Sequence, residues 1–368
     1  MIMAKRKLNL REMIKRQEVL LDLGKQLAHI KNIILLLKEI ANRTSELMEA
    51  ERSSVFLYDE DRDELWSIVA EGEDQIRFPA SSGIGGYVFR TGEIVIEDDV
   101  YNNPSFNKEI DRETGYRTKS MLCVPLYNQK GKMMGVYQVI NRHDGSFQKD
   151  DVEFLLAIAG QVSVVLQNTI LVDNMKRMFE SLVDTLAESI DMRDTLTAGH
   201  SRRVMEITMK IVEKLRIPNE ERKKIKYAAY LHDYGKIILK DAILLKEGPL
   251  TSEELTDIRK HVEYTRHILD KIEFEDDLKD VPEIASLHHE RLDGSGYPYG
   301  LKCDEIPIGS RIIAVSDIFD ALTNKRHYRN PLPVRKAFEH LMKESGVKFD
   351  SKVVEALRQV LEEEDLLS

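Results

Sequence analysis

The histidines are the first residues with the makings of a reactive site. Five of the ten stand in the C-terminal half in the company of carboxylates: His200, His232, His261, His288 and His289. Asp233 directly follows His232, and Asp317 lies inside the apolar stretch Ile312–Phe319. Imidazole and carboxylate without thiolate suit Fe, Mn, Ni or Zn better than Ca. Neighbouring side chains on a helix point about 100° apart. His232-Asp233 and His288-His289 can therefore each serve one site only over a helix end, or where two ions spread the ligands and one carboxylate bridges them. Asp317 has Ile312, Ile313, Val315, Ile318 and Phe319 around it. A carboxylate in such a helix needs a partner, either a cation or a hydrogen-bond network. Lys236 follows one helical turn after His232 and Asp233, where it can donate to an anionic oxygen or stabilise developing charge.

A loop and a basic cluster complete the candidate set. Asp293-Gly294-Ser295-Gly296-Tyr297-Pro298 cannot continue a helix, because its glycines permit positive φ and its proline fixes the exit. It is expected to bring Tyr297 and backbone amides to a substrate. Arg326 and Arg329, with Tyr328 between them, carry guanidinium groups whose planar bidentate donors suit a phosphate. Cys123 and Cys303 form neither a CxxC pair nor a disulfide framework, which points to a reducing compartment.

The elements that must hold these residues follow from length and period. The 368 residues correspond to two or three domains at about 100–200 residues each. With 42% hydrophobic and 32% charged residues, the chain is neither disordered nor fibrous. A net charge of −10 argues against a nucleic-acid polymer or an anionic membrane as partner. No apolar run reaches the roughly 20 residues of a membrane span; Ile33–Leu37 and Leu155–Leu166 come nearest. Met1–Lys7 leads into a mixed polar helix rather than a signal core, so a cytoplasmic location is expected.

Residues 8–30 and 33–48 show helical spacing. Residues 54–58, 65–70, 94–97, 121–127 and 133–140 show strand character, and residues 151–167 return to helix. The order is that of an α+β domain. Gly83-Ile84-Gly85-Gly86 lacks the context of a P-loop or dinucleotide fold and is expected to be a turn. From Gln167 to Arg193 one helix is expected, with Ile170, Leu171, Met175, Met178, Leu182, Leu186 and Ile190 along one side. Such a stripe fits a seam with a second copy of the chain.

Two resemblances attach to these residues. Residues 31–168 resemble a GAF domain through Gly83–Gly92, Ser120–Tyr127, Gly135–Asn141 and Phe147–Gln161. This resemblance implies a small-molecule sensor or dimerisation module with a pocket between sheet and helices. Asn141-Arg142, Phe147 and Asp151-Val152 partly match the pattern of cyclic-nucleotide-binding members. The C-terminal part resembles an HD-GYP domain through Thr197–Val204, Leu231–Lys236 (LHDYGK), His288–Pro298 (HHERLDGSGYP) and Ile306–Arg329.

The second resemblance implies an all-helical, metal-dependent phosphohydrolase that cleaves cyclic di-GMP to pGpG and sometimes onward to GMP. It implies His200, His232, Asp233, His261, His288, His289 and Asp317 as ligands to two divalent ions, Fe or Mn, with Asp233 bridging and a third ion left open. Asp233 and Lys236 would be the catalytic groups. Lys236, Gly296, Tyr297, Pro298, Arg326 and Arg329 would meet substrate. Tyr234 and Cys303 depart from the family pattern. The expected organisation is multidomain. An N-terminal helix (1–30) precedes a GAF α+β domain with an antiparallel sheet (31–168), a linker helix (169–190) and an all-α HD-GYP catalytic domain (191–368). A homodimer with an unknown GAF ligand is expected. A slow cyclic di-GMP receptor, or an enzyme for another cyclic dinucleotide, is the alternative.

Overall fold

The computed structural model describes residues 33–70, 76–193, 199–246, 248–324 and 330–367. The expected helix over 8–30 lies outside the described residues. The chain forms two compact units that divide between Met175 and Lys176.

The first unit is built on one antiparallel sheet. Helix α1 (Ile33–Leu47) precedes β1 (Ala50–Asp59), β2 (Glu64–Ala70) and β3 (Arg77–Pro79). Then come α2 (Gly83–Thr91), β4 (Val95–Glu97), α3 (Lys108–Thr114), β5 (Met121–Tyr127), β6 (Met133–Arg142) and α4 (Lys149–Arg193). The strand order is β3-β2-β1-β6-β5-β4. Alternation along the strands sorts side chains to two faces. Val55, Leu57, Leu122, Val124, Tyr137 and Val139 join a core with α1 and α4. Their neighbours Phe56, Cys123, Val136 and Ile140 join a second core with Ile84 and Val88 of α2. Both faces are covered, which explains why these strands read as nearly continuous apolar runs.

Two expectations for this unit are corrected. The Gly83–Gly86 segment is the first turn of α2, not a turn between strands. Ile84 and Val88, four residues apart, are buried on one helix face, and that packing outweighs the poor helix propensity of glycine. Helix α4 is also long and apolar enough, by length and composition, to cross a membrane. Its apolar residues have another use: Leu155, Ile158, Ala159, Val162, Val165 and Leu166 pack on the sheet.

The residues that suggested cyclic-nucleotide binding tie backbone together. Asn141 Oδ1 accepts from Lys119 N at 2.6 Å and its Nδ2 donates to Arg117 O at 2.9 Å. Arg142 pairs with Asp151 at the start of α4, and Phe147 is core. A cavity of about 80 Å³ lies elsewhere, lined by Phe56, Phe78, Ile84, Asp111, Tyr116 and Gln138 among others.

The second unit is helical. After the end of α4 come α5 (His200–Lys214), α6 (Asn219–Leu231), a 3-10 segment (Tyr234–Ile238), α7 (Asp241–Leu244), α8 (Ser252–Arg259) and α9 (His261–Leu269). Then follow α10 (Val281–Ser286), α11 (Ile308–Thr323), α12 (Val334–Lys343) and α13 (Ser351–Glu363). One apolar cluster joins α5, α6, α11, α12 and α13. Another joins Val183 of α4 to Val204, Tyr227, Leu231, Leu269, Ile284 and Ile313. Tyr234, the departure in the HD stretch, packs against this second cluster.

The 3-10 segment lies hard against α9. A Cβ added at Gly235 would sit 2.0 Å from His261 O and 2.4 Å from Thr265 N. Gly235 N donates to Thr265 Oγ1 at 2.8 Å, and Thr265 Oγ1 donates to His232 O at 3.1 Å. Thus one glycine sets the spacing between two histidine-bearing segments. Gly235→Ala should lower stability by about 1–3 kcal/mol, as overpacking does. Urea denaturation monitored by circular dichroism tests this; an unchanged midpoint would show that the two segments can part freely.

Candidate metal centre

Helix ends explain how the histidines are held. The last carbonyls of a helix have no intrahelical partner. His232 follows α6, and its Nδ1 lies 2.8 Å from Ala229 O. His261 follows α8 and approaches Ile258 O at 2.7 Å. His288 follows α10 and approaches Ala285 O at 2.7 Å. A carbonyl can only accept, so each Nδ1 must donate. In the neutral ring the lone pair then sits on Nε2.

Those Nε2 atoms converge. The Nε2 atoms of His200, His232, His261 and His288 are buried without a hydrogen-bond partner. Leaving one such acceptor unpaired costs about 1–3 kcal/mol. Four at one place amount to a centre built for a cation. Donor atoms of Asp233, His261, His288 and His289 lie within 4.8 Å of one another, as do those of His200, His232 and Asp317. Asp233 faces both groups. Its Oδ2 is 3.4 Å from His232 Nε2 and 3.6 Å from His200 Nε2, while its Oδ1 is 3.3 Å from His261 Nε2. Asp317 Oδ1 is 3.4 Å from His200 Nε2. The seven residues whose spacing raised the question share one site, which satisfies both conditions set by the paired residues. It lies over helix ends, and its donors fall into two groups that Asp233 faces together. Nitrogen and carboxylate donors without sulfur fit divalent transition metals.

The electrostatics agree with this donor set. Burial drives His232 and His288 below their ordinary value, His288 to about 3. Burial, with His288 and His261 nearby, does the same to His289. These rings are held neutral, as ligands must be. Burial opposes charge on Asp233 and Asp317 as well. Lys236 and the imidazoles nonetheless hold Asp233 well below the usual carboxylate range, and His200 with His232 does so for Asp317. His200 differs: burial disfavours its charge, yet Asp233, Asp317 and Asp320 raise it well above its ordinary value.

The loop after α10 is pinned to the site by Glu290. This buried carboxylate accepts from Tyr299 N at 2.7 Å, Gly300 N at 3.2 Å and Leu301 N at 3.0 Å. Gly296 passes so close to the preceding strand of loop that a Cβ would lie 2.4 Å from Arg291 N. The Tyr297-Pro298 peptide is cis. Tyr297 stacks on His289, with ring centroids 4.7 Å apart and planes at 30°. The exposed Arg259 places its guanidinium 5.2 Å from the centroid of the Tyr297 ring. Cys303, in a position that glycine suits, has φ of 42°.

Other expected residues fall as follows. Lys236 Nζ is 2.5 Å from Asp233 Oδ2, at the rim of the donor groups. His267 is exposed on α9. Arg326, Tyr328 and Arg329 lie outside the described residues. Of the acids that precede His200 and could serve a third ion, Glu188 is exposed. Asp191 accepts from Ser201 N at 3.0 Å and Ser201 Oγ at 2.9 Å; Asp194 lies outside the described residues. Sequence reasoning missed Glu290, Arg259 and Asp320. Glu290 stood in plain view within HHERLDGSGYP, but only its three amide partners reveal what it does. Asp320 follows Asp317 by three residues, which on a helix is the same face.

Comparison with known proteins finds similarity in both units. Residues 184–353 match the model of the HD domain, and residues 32–166 match that of the GAF domain. A "3'3'-cGAMP-specific phosphodiesterase 2" of Vibrio cholerae is 37% identical over 196 residues, 53% of this chain and 37% of that protein. A "Cyclic di-GMP phosphodiesterase" of Thermotoga maritima is 40% identical over 189 residues, 50% of this chain and 51% of that protein. A "Cyclic di-GMP phosphodiesterase response regulator" of Xanthomonas campestris is 38% identical over 172 residues, 47% of this chain and 45% of that protein. The chain thus spans about half the length, or less, of these curated relatives. The six-stranded sheet lies within the segment that matches the GAF domain, and the histidine centre lies within the segment that matches the HD domain.

Proposed function

We propose that this protein is a metal-dependent phosphodiesterase that opens a cyclic dinucleotide, cyclic di-GMP, to pGpG and onward to GMP. The observation that carries this reading is the pair of donor groups joined by Asp233, with four unpaired Nε2 atoms directed into them. His200, His232 and Asp317 would hold one ion, His261, His288 and His289 the other, and Asp233 would bridge, with Fe or Mn as the metal. Both oxygens of Asp191 are engaged by Ser201, which favours two ions over three. Divalent ions bound there supply water activation near neutral pH and charge neutralisation at phosphate oxygens.

The protein's own groups do the rest. Lys236, beside Asp233, is positioned to donate to the reacting phosphate and offset the charge that develops on it. The Gly296–Pro298 turn places Tyr297 on His289 with the Arg259 guanidinium over the same ring, and this group of planar side chains is proposed to meet a purine. Arg326 and Arg329 are proposed to bind guanine or the remaining phosphate. Burial holds the His232, His288 and His289 rings neutral, whereas His200 would give up a proton as metal enters.

Regulation is assigned to the GAF unit, with a small molecule in the cavity beside Tyr116. The proposed assembly is a cytoplasmic homodimer. Leu171, Met175, Met178 and Leu182 of α4 are all more than half exposed and recur at four, three and four residues, the spacing of a two-helix seam. A second substrate reading has its own support, since two similar Vibrio cholerae proteins are named as 3'3'-cGAMP-specific phosphodiesterases. That support is for the hybrid cyclic dinucleotide.

The deciding experiment combines elemental analysis with turnover. Protein purified without air or chelator should contain two ions per chain and convert cyclic di-GMP to pGpG and GMP, faster than 3'3'-cGAMP. Faster cleavage of 3'3'-cGAMP would transfer the assignment to the second reading. Two ions with tight binding but no cleavage would make the protein a receptor. Replacing His232 or Asp233 by Ala should lower kcat/KM by 100-fold or more, since disturbing even the outer supports of a metal site costs about 10–100-fold. Wild-type activity in either variant would remove that residue from the ligand set.

The metal-stripped protein should lose stability as pH falls from about 6.5, the ordinary histidine value. For His288 the folded-state value is about 3. Between these limits the unfolded chain binds more protons at His232, His288 and His289 than the folded chain does, so stability rises with pH. His200 acts in the opposite sense above neutrality, because its folded-state value is raised. Thermal melts at pH 5 and pH 7 check the first effect; a higher melting temperature at pH 5 would contradict it.

A further inference from the structure

The four buried histidines are not held alike, and the exception has a physical cause. His232, His261 and His288 follow helices and use leftover carbonyls three residues back. His200 begins α5 after Gly199 as N-cap, whereas His261, which begins α9, comes directly after the end of α8. The free backbone groups at a helix start are N–H donors, which cannot accept from Nδ1–H. The acceptor has to come from another element. It is Asp320 on α11, whose Oδ2 lies 2.7 Å from His200 Nδ1. Asp320 is 2% exposed and is itself braced. Arg203 Nε donates to its Oδ1 at 2.7 Å, Arg203 Nη2 to Oδ2 at 3.2 Å, and Asn324 Nδ2 to Oδ1 at 2.8 Å. Arg203 is one turn along α5 from His200, and Asp320 is one turn along α11 from Asp317. The same two helices therefore supply both a histidine–carboxylate donor pair and the ion pair that fixes it.

We infer that Asp320, braced by Arg203, is the positioning residue of one half of the centre, the half formed by His200, His232 and Asp317. The inference rests on the two-ion reading above. The other half needs no such support, because His261 and His288 are fixed by backbone that a side-chain change does not remove. The two halves are thus separable. Removal of the Asp320 carboxylate frees the His200 ring and weakens one ion, while the group of Asp233, His261, His288 and His289 keeps the other. An aligned carboxylate partner of this kind is worth about 10–100-fold in metal affinity.

The test titrates Mn(II) into metal-stripped full-length wild type, Asp320→Ala and Asp320→Asn, with calorimetry for affinity, elemental analysis for stoichiometry and circular dichroism for helix content. Wild type should take two ions. Asp320→Ala should retain one at wild-type affinity and bind the second about 10–100-fold more weakly. Asp320→Asn, which keeps an acceptor oxygen but not the charge, should fall between them. Two ions at wild-type affinity in Asp320→Ala would overturn the inference and leave the two-ion reading intact. Loss of both ions together with helix content would also overturn it, since it would show a general structural role. Fewer than two ions in wild type would overturn the two-ion reading and the inference with it.

Discussion

A helix that ends leaves carbonyl oxygens with nothing to accept, and a histidine placed just beyond the end can fill that need through Nδ1. In the HD unit this happens at α6, α8 and α10. The bond caps the helix, fixes the tautomer and turns Nε2 away from the backbone. Because the three helix ends meet, the three lone pairs meet as well. The rest of the unit serves that convergence. Gly235 permits α9 to approach the HD segment, and Glu290 gathers the loop that lays Tyr297 on His289. Asp320 provides for His200 what its helix start cannot.

The arrangement places a burden on stability and gains a function from it. Several polar atoms are buried without protein partners, and the neutral rings resist protonation in a place where carboxylates remain charged. Each feature is unfavourable to the fold by itself, and each becomes favourable once a divalent cation enters. Metal occupancy and fold stability are accordingly coupled. The two apolar clusters of the unit, one on either side of α11, carry the stability that lets the centre exist.

The GAF unit solves a different problem. Its sheet is covered on both faces, so its strands carry apolar residues at nearly every position, and the second face encloses a cavity. The motif that hinted at cyclic nucleotides holds backbone together at the junction of β6 and α4 instead, with Arg142 and Asp151 paired and Phe147 in the core. A short pattern shared with ligand-binding relatives can thus be a pattern of packing. The apolar window in α4 makes a similar point, since hydropathy alone does not separate a sheet-facing helix from a span.

The sequence by itself determined the candidate donor types and their order, the α+β and all-α character of the two parts, and the break in helix at Asp293–Pro298. These follow from local chemistry: residue type, period and the conformational limits of glycine and proline. Tertiary structure alone decided which atoms of those residues face one another. That Asp233 addresses both donor groups and that Asp320 supports His200 depend on helices brought together from 28 to 120 residues apart, and that Glu290 serves backbone amides depends on a loop that folds back on it over 9 to 11 residues. No periodicity encodes such distances. They arise where apolar faces pack, and only then does a carboxylate on α11 find the ring that begins α5.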